Sequence, residues 1–498
     1  MEFISGIKQI KHKALYFFAI ILTISLTAHV ESIWCAAEEE TLAGQISEIL
    51  NKHRPSGSTV GISIFSITKN KSLYKTNSDE LFIVASNMKL FTTATALIYL
   101  GPDFEYKTEI YYRGDIYNDK LNGDIIIKGC GDPNISGRFY EGNVTAVPTF
   151  WADAVKEHGI KIITGNIIAN DSIFDREFIC DSWPKDQLSR WYCAPVSGLS
   201  FNDNCIDIEI SPNEKPGSLV YIRTKPDTSY VKINNNCKTT TSKSKHYSLE
   251  RRLSTNIIDF KGYVWSKSRP QIQWVTIHNP PLYTAAVFKE ILENMDIPVM
   301  GDARVIDTQD SNPENELHKL TETTSNLKQA VKVTNKRSHG FYAEHILKTL
   351  GAHVGKEGSF SAGLDVVRKF ITELGFSEEQ YRIADGSGLS KKNKLTPGMI
   401  ISLLRFMYGH KHAGVFIESL PISGIDGTLK KRLKEVPYRS RVKAKTGYVR
   451  GARTLSGYVK TSNDEIIAFS ILVNNSRGNV WPAKRLQDEI CKILIKSN

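Results

Sequence analysis

The sequence has no CxxC pair, and none of its twelve histidines stands among cysteines at zinc-ligand spacing. A thioredoxin-like redox pair and a structural zinc site therefore have no support, and no cofactor is expected. Long basic tracts are also missing. The formal net charge of +11 is spread along the chain, in runs no denser than "KTTTSKSK". That pattern gives no footprint for nucleic acid, and no nucleic-acid partner is expected. No internal repeat of solenoid or propeller length is present. What remains is ordinary globular composition, with 41% hydrophobic and 23% charged residues. At 498 residues the chain exceeds one ordinary core, so two or three domains are expected.

The first forty residues differ from the rest. Lys8, Lys11 and Lys13 precede the apolar run "ALYFFAIILTISLTAHV", and the small residues "CAA" follow before "EEE". This is the layout of a secretory signal peptide spanning residues 1–37, with Cys35 and Ala37 at the small-residue positions of the cleavage site. An uncleaved anchor is the alternative, since the run approaches spanning length. A lipoprotein signal is disfavoured because bulky Trp34 precedes Cys35. On either of the first two readings the bulk of the chain is exported to the periplasm or cell-envelope side. Loss of Cys35 leaves Cys130, Cys180, Cys193, Cys205, Cys237 and Cys491. In an oxidising compartment an even count permits disulfides, without choosing a pairing.

Periodicity then divides the chain. Residues 38–105 read as helix, strand, turn, strand and helix, ending in the stretch around "IVASNMKLFTTATALIYLG". Residues 106–315 are alternating segments cut by Gly, Pro and Asn, which indicates strand-rich inserted material with a small β module at about 211–280. Residues 316–498 return to helical patterning. They close with two strand-like runs, "TLSGYVKTS" and "EIIAFSILVNN", and an amphipathic helix. Strands and helices open and close the chain, so one α/β domain split by a long insertion is the economical inference.

Ser86 opens the first strongly apolar helix and Lys89 follows three residues later on the same face. On a bland reading Ser86 is a helix cap and Lys89 reaches out to solvent. The alternative is a nucleophile beside its base, which requires the lysine pKa to be lowered by burial or by a neighbouring cation. A search for partners finds Lys445-Thr446-Gly447 between two strands, where glycine permits close approach of a ligand to the backbone. It also finds Ser338 just ahead of the helix "GFYAEHILKTLG".

The ordered set S-x-x-K, S-x-x and K-T-G resembles the active-site motifs of penicillin-binding proteins and serine β-lactamases. Four further stretches narrow the resemblance: "GCGDPNIS" (129–136), "YCAPVSGLSFNDN" (192–204), "ADGSGLSKKNKLTP" (384–397) and "LPISGIDGTLKKRL" (420–433). Together they are similar to the low-molecular-mass class C penicillin-binding proteins, the D-alanyl-D-alanine carboxypeptidase/endopeptidases. The resemblance implies an α/β penicillin-binding transpeptidase/serine β-lactamase-like domain, an antiparallel sheet flanked by helices, split by a strand-rich two-domain insertion. It implies Ser86 as acyl-ester nucleophile, Lys89 as general base and Ser338 as proton relay. Lys445 would hold the substrate carboxylate with Thr446 assisting, and the backbone N–H groups of Ser86 and Tyr448 would form the oxyanion hole beside Gly447. Peptidoglycan stem peptides are the implied substrate and β-lactams the covalent inhibitors.

Two positions depart from the pattern. The second motif is Ser338-His339-Gly340, with Gly340 where the family carries asparagine, and Tyr448 replaces a small residue after the triplet. Loss of one positioning hydrogen bond costs on the order of 10²–10³ in rate, so a slow but working enzyme is expected. A crippled homologue that binds the cell wall is the competing reading, and a β-lactamase or esterase a third. The turn Asp385-Gly386-Ser387-Gly388, Asp132-Pro133 and His345 are expected to be structural.

Overall fold

A computed structural model describes residues 42–243, 246–307, 316–476 and 481–497. The signal-peptide assignment at 1–37 lies outside the described residues. A five-stranded antiparallel sheet organises the molecule, in the order Val442–Val449, Ala452–Lys460, Ile466–Asn474, Thr59–Ser66, Lys71–Thr76. Strands from the two ends of the chain meet at its centre, where Thr59 opposes Asn474 and Ser66 opposes Ile467. One face is covered by the helix Trp481–Lys496, which buries Leu486, Ile490, Cys491 and Leu494 at helical spacing, together with Ile46 from the helix over 42–53.

The other face carries the larger core. Here the helix Met88–Tyr99 is buried on every side from Met88 to Leu97, as expected of a helix with no solvent face. Its threonines are accommodated by hydrogen bonds to backbone carbonyls: Thr93 to Lys89 at 2.7 Å and Thr95 to Phe91 at 2.8 Å. The helices Leu327–Lys336, Gly340–His353, Phe360–Glu373 and Ala413–Ser419 pack around it, and Pro397–Gly409 packs on the sheet. The mixed α/β architecture expected from the sequence is the one observed.

The inserted material forms a second core. A six-stranded mixed sheet includes Glu105–Tyr117, Lys120–Lys128, Ile167–Asn170 and Ala303–Val305, with the helices Ala146–Glu157 and Pro280–Asn294 against it. Two three-stranded sheets extend it between Cys205 and Thr276. The β module therefore begins before the expected 211 and ends ahead of 280, where a helix starts. A larger correction concerns the boundary at 315. The strand His318–Asn326 belongs to the inserted sheet, paired antiparallel with Glu105–Tyr117 so that Asn326 lies opposite Glu105. It is a polar edge strand whose one buried residue is Leu320, so its periodicity in the sequence is weak. The pairing brings the entry and exit of the insertion side by side.

The disulfides that the cysteine count permitted are not formed. All six cysteines from Cys130 to Cys491 are free, and they are divided among three cores. Burial pushes the Cys193 and Cys180 thiols up to about 12, so they act as small apolar side chains.

Candidate active site

Ser86 does not cap a helix. It sits in a single 3₁₀ turn, Ala85–Asn87, that makes no side-chain cap and leads directly into Met88–Tyr99. Ala85 is held at φ 45°, in the left-handed region that an alanine rarely occupies. Such a residue costs on the order of 1–3 kcal/mol and persists only where the surroundings enforce it. The enforcing contact comes from Gly388 (φ 75°), whose added Cβ would fall 1.8 Å from the Ala85 carbonyl oxygen. Of the two glycines in that turn, Gly388 is the one with positive φ.

Lys89 does not reach solvent either. It is 2% exposed, with Nζ 3.2 Å from Ser86 Oγ. Its strongest anchor is the carbonyl oxygen of Ser387, to which it donates at 2.5 Å. Burial lowers the Lys89 pKa to about 8 against the opposing pull of Glu344 and Asp385. An amine poised near neutrality beside a hydroxyl can take its proton.

Ser338 occupies the link between Leu327–Lys336 and Gly340–His353, also with left-handed backbone (φ 57°). Lys445 is fully buried and donates to Ser338 Oγ at 2.7 Å and to the Thr446 carbonyl at 2.8 Å. Burial, then the charge of Lys89, hold its pKa well below that of an ordinary lysine. An incoming carboxylate would favour its charged form. Gly447 lies against the Ser86 turn: a Cβ there would stand 3.0 Å from both the Ser86 nitrogen and the Val84 oxygen. Asn87 fixes this docking from the other side by donating to the Lys445 carbonyl at 3.1 Å. Ser86, Lys89, Ser338, Lys445 and Gly447 are thus brought to one place from three distant parts of the chain.

Thr446 and Tyr448 alternate with Lys445 and Gly447 along the strand, so their side chains leave on the other side. Thr446 donates to Thr428 Oγ1 at 2.8 Å. The Tyr448 ring is half exposed and lies 3.7 Å beneath the Arg453 guanidinium, which keeps it off the face where Gly447 meets Ser86. The Ala444 N–H points to the outer edge of the sheet and donates to Pro421. By the same alternation the Tyr448 N–H, four residues on, also faces that edge.

Three residues hold the amine in ways the sequence did not show: Glu344 was not singled out, and Ser387 and Asp385 were read only as parts of a turn. Ser387 supplies a backbone carbonyl, which side-chain motifs cannot reveal. Glu344 is fully buried and accepts from the Gly386 and Ser387 N–H groups at 3.0 and 2.8 Å, holding that carbonyl toward Lys89. Burial and the neighbouring Asp385 push its pKa up. Asp385 locks the rest of the turn by accepting from Gly388, Ser390, Asn393 and Trp183. The Asp385 turn is structural, as expected, yet it also seats the amine. Asp132 accepts from the Asn134 N–H at 2.8 Å and the Ser325 hydroxyl at 2.7 Å, and His345 is a core residue between the Phe341 carbonyl and Ser200.

This arrangement has counterparts among known proteins. A D-alanyl-D-alanine carboxypeptidase of Actinomadura sp. (strain R39) is 27% identical over 459 residues, covering 88% of this chain and 81% of its own. The D-alanyl-D-alanine carboxypeptidase DacB of Haemophilus influenzae is 25% identical over 430 residues, covering 85% and 87%. The crystal structure of penicillin binding protein 4 (dacB) from Haemophilus influenzae superposes with a TM-score of 0.77 at 24% identity, covering 91% of this chain and 99% of that one. A match over 91% of this chain extends across both the split sheet and the inserted material. Since residues 42–494 match it across nearly the whole described chain, the protein belongs to the D-Ala-D-Ala carboxypeptidase 3 (S13) family.

Proposed function

We propose that the protein is an exported serine D,D-peptidase that acts on peptidoglycan stem peptides through an acyl-enzyme on Ser86. The observation that carries this reading is the close docking of the Lys445–Gly447 strand onto the Ser86 turn, within charge reach of Lys89. In the acylation step, the neutral Lys89 amine takes the Ser86 proton as Oγ bonds to the carbonyl carbon between the two terminal D-alanines. The Ser86 and Tyr448 N–H groups receive the charge developing on oxygen. The C–N bond then breaks, the proton held by Lys89 passes through Ser338 to the leaving amine, which returns Lys89 to the free amine, and D-alanine departs while Lys445 releases its carboxylate. Water hydrolyses the Ser86 ester with Lys89 again as base. An endopeptidase step follows the same course with a cross-linked strand as the leaving group.

Support for β-lactams as covalent inhibitors comes from the likeness to penicillin binding protein 4, which has also been crystallised complexed with a β-lactam. Export rests on the basic–apolar–small pattern of residues 1–37. N-terminal sequencing of the mature protein tests it, with Glu38 the expected first residue. The central experiment is labelling with a fluorescent penicillin. The intact chain should carry a label that survives denaturing electrophoresis and is lost in Ser86→Ala, and D-alanine should be released from a pentapeptide. Gly340 favours a second reading, a wall-binding homologue with a weakened site, and a folded chain that takes no label would select it.

A further inference from the structure

A cavity of about 530 Å³ lies on the far side of the second motif, a volume typical of small-molecule sites. Ser338 faces Lys445, while the next side chain, His339, turns into this cavity. Its walls come from both the insertion and the helical part of the other domain: the loop 136–144, Trp191, the Asn202–Asp207 stretch and Trp274 of the former, and Arg337 with His339 of the latter. Junctions of this kind are where ligand sites concentrate.

Two indoles line it. Trp274 is 50% and Trp191 36% exposed, and the Trp191 ring centroid is 5.2 Å from that of His339. Exposed tryptophans in a concavity are apolar surface left for a flat-faced partner. The polar groups carry both signs of charge, with one carboxylate more than guanidinium groups. Arg138 and Arg337 stand against Glu141, Asp203 and Asp207, and burial lowers the His339 pKa below that of a free imidazole. A strong anion would meet the three carboxylates, and a cation the two guanidiniums, so a neutral ligand fits. Arg138 pairs with Asp203, and His339 Nε2 lies 3.2 Å from the same carboxylate. That pairing leaves Arg138 Nε, Asp203 Oδ1 and His339 Nδ1 buried without a hydrogen-bond partner among the described residues. Buried polar atoms of this kind need a partner. They form an incompletely satisfied polar layer behind the aromatic wall, and Glu141, Asp207 and Arg337 add polar groups to the lining.

We infer that this cavity is a saccharide subsite, holding an N-acetylated pyranose of the peptidoglycan glycan whose stem peptide enters the Ser86 cleft. Pyranose rings present an apolar face to an indole and hydroxyl and acetamido groups to mixed polar partners. The inference rests on the peptidase reading for its choice of glycan, and it assigns the insertion a part in substrate selection.

The test uses the full chain and the peptide-free disaccharide of N-acetylglucosamine and N-acetylmuramic acid. Saturable quenching of tryptophan fluorescence is expected, weakened by about tenfold or more in Trp274→Ala, while fluorescent penicillin still labels Ser86. In steady-state assays Trp274→Ala should raise KM for a disaccharide pentapeptide and leave KM for the free pentapeptide unchanged. Trp191→Ala gives the same comparison if Trp274→Ala fails to fold. Absence of saturable binding in a chain that takes the penicillin label would overturn the subsite, as would an equal rise in KM for both substrates. Saccharide binding in a chain that takes no label would leave the subsite standing and remove the peptidase reading instead.

Discussion

Lys89 donates to the carbonyl oxygen of Ser387 at 2.5 Å, across 298 residues of sequence. That carbonyl is aimed by Glu344, whose two oxygens accept from the Gly386 and Ser387 N–H groups. Glu344 therefore acts on the base both through the turn it holds and through its charge. Glu344→Gln keeps the shape but places a donor NH₂ against one of the two N–H groups, and it removes a charge that raises the Lys89 pKa. The acylation rate should fall by about tenfold, less than the loss of a hydrogen bond to the reacting atoms, because Glu344 acts on Lys89 through the Ser387 carbonyl. The pH dependence should also move to lower pH. A purely structural role would lower the rate without moving the midpoint.

The pH profile of the intact chain follows from the burial of Lys89. Its pKa is lowered to about 8, and the active form is the free amine, which accumulates as pH rises. The second-order rate of acylation by penicillin should thus climb about tenfold per unit from pH 6 toward 8, then level off. Stopped-flow measurement of the labelling rate checks this. A rate independent of pH over that range would exclude Lys89 as the base.

The candidate site side chains were legible because S-x-x-K and K-T-G fix residue type and spacing: Ser86 and Lys89 stand three residues apart, and Lys445 stands two residues ahead of a glycine. The groups that position them were not. Ser387 contributes an atom that every residue has, and Glu344 reads in sequence as one more acid on a helix. The left-handed backbone of Ala85 and Ser338 leaves no mark in residue type, since neither alanine nor serine favours it. In the fold, strands with a buried face such as Ile466–Asn474 announced themselves. The edge strand His318–Asn326 was lost because a single buried leucine cannot set a period.

Gly388 joins the fold to the site. Its φ of 75° and the 1.8 Å approach to the Ala85 oxygen leave no room for a side chain. Gly388→Ala adds backbone strain and pushes the Ser86 turn away from Gly447. Stability should drop by roughly 2–4 kcal/mol, the range for combined strain and overpacking, measurable as a lowered urea midpoint. Penicillin labelling should fall even under conditions where the variant remains folded. Gly375→Ala, at φ 90° with nothing within 4 Å, carries the conformational cost alone. It should destabilise less and leave labelling intact.

Gly340 is the position where rate and packing oppose each other. A Cβ there would lie 3.3 Å from the Tyr192 carbonyl and 3.7 Å from Ser387 Cβ, so the pocket that an asparagine side chain would enter is narrow but open. Its φ is not in the left-handed region, and a non-glycine residue meets no backbone penalty. Gly340→Asn should cost about 1 kcal/mol in stability as the Tyr192 backbone gives way. It should also raise the acylation rate by about tenfold or more, because an amide beside Ser387 adds a donor and an acceptor near the Lys89 amine and the substrate backbone. Gly340→Ala separates the two effects, since it brings the packing cost without the amide. It should match the stability loss of Gly340→Asn and show no gain in rate. A rate for Gly340→Asn no higher than that of Gly340→Ala would mean that the Ser387 carbonyl already does for Lys89 what the missing amide would do.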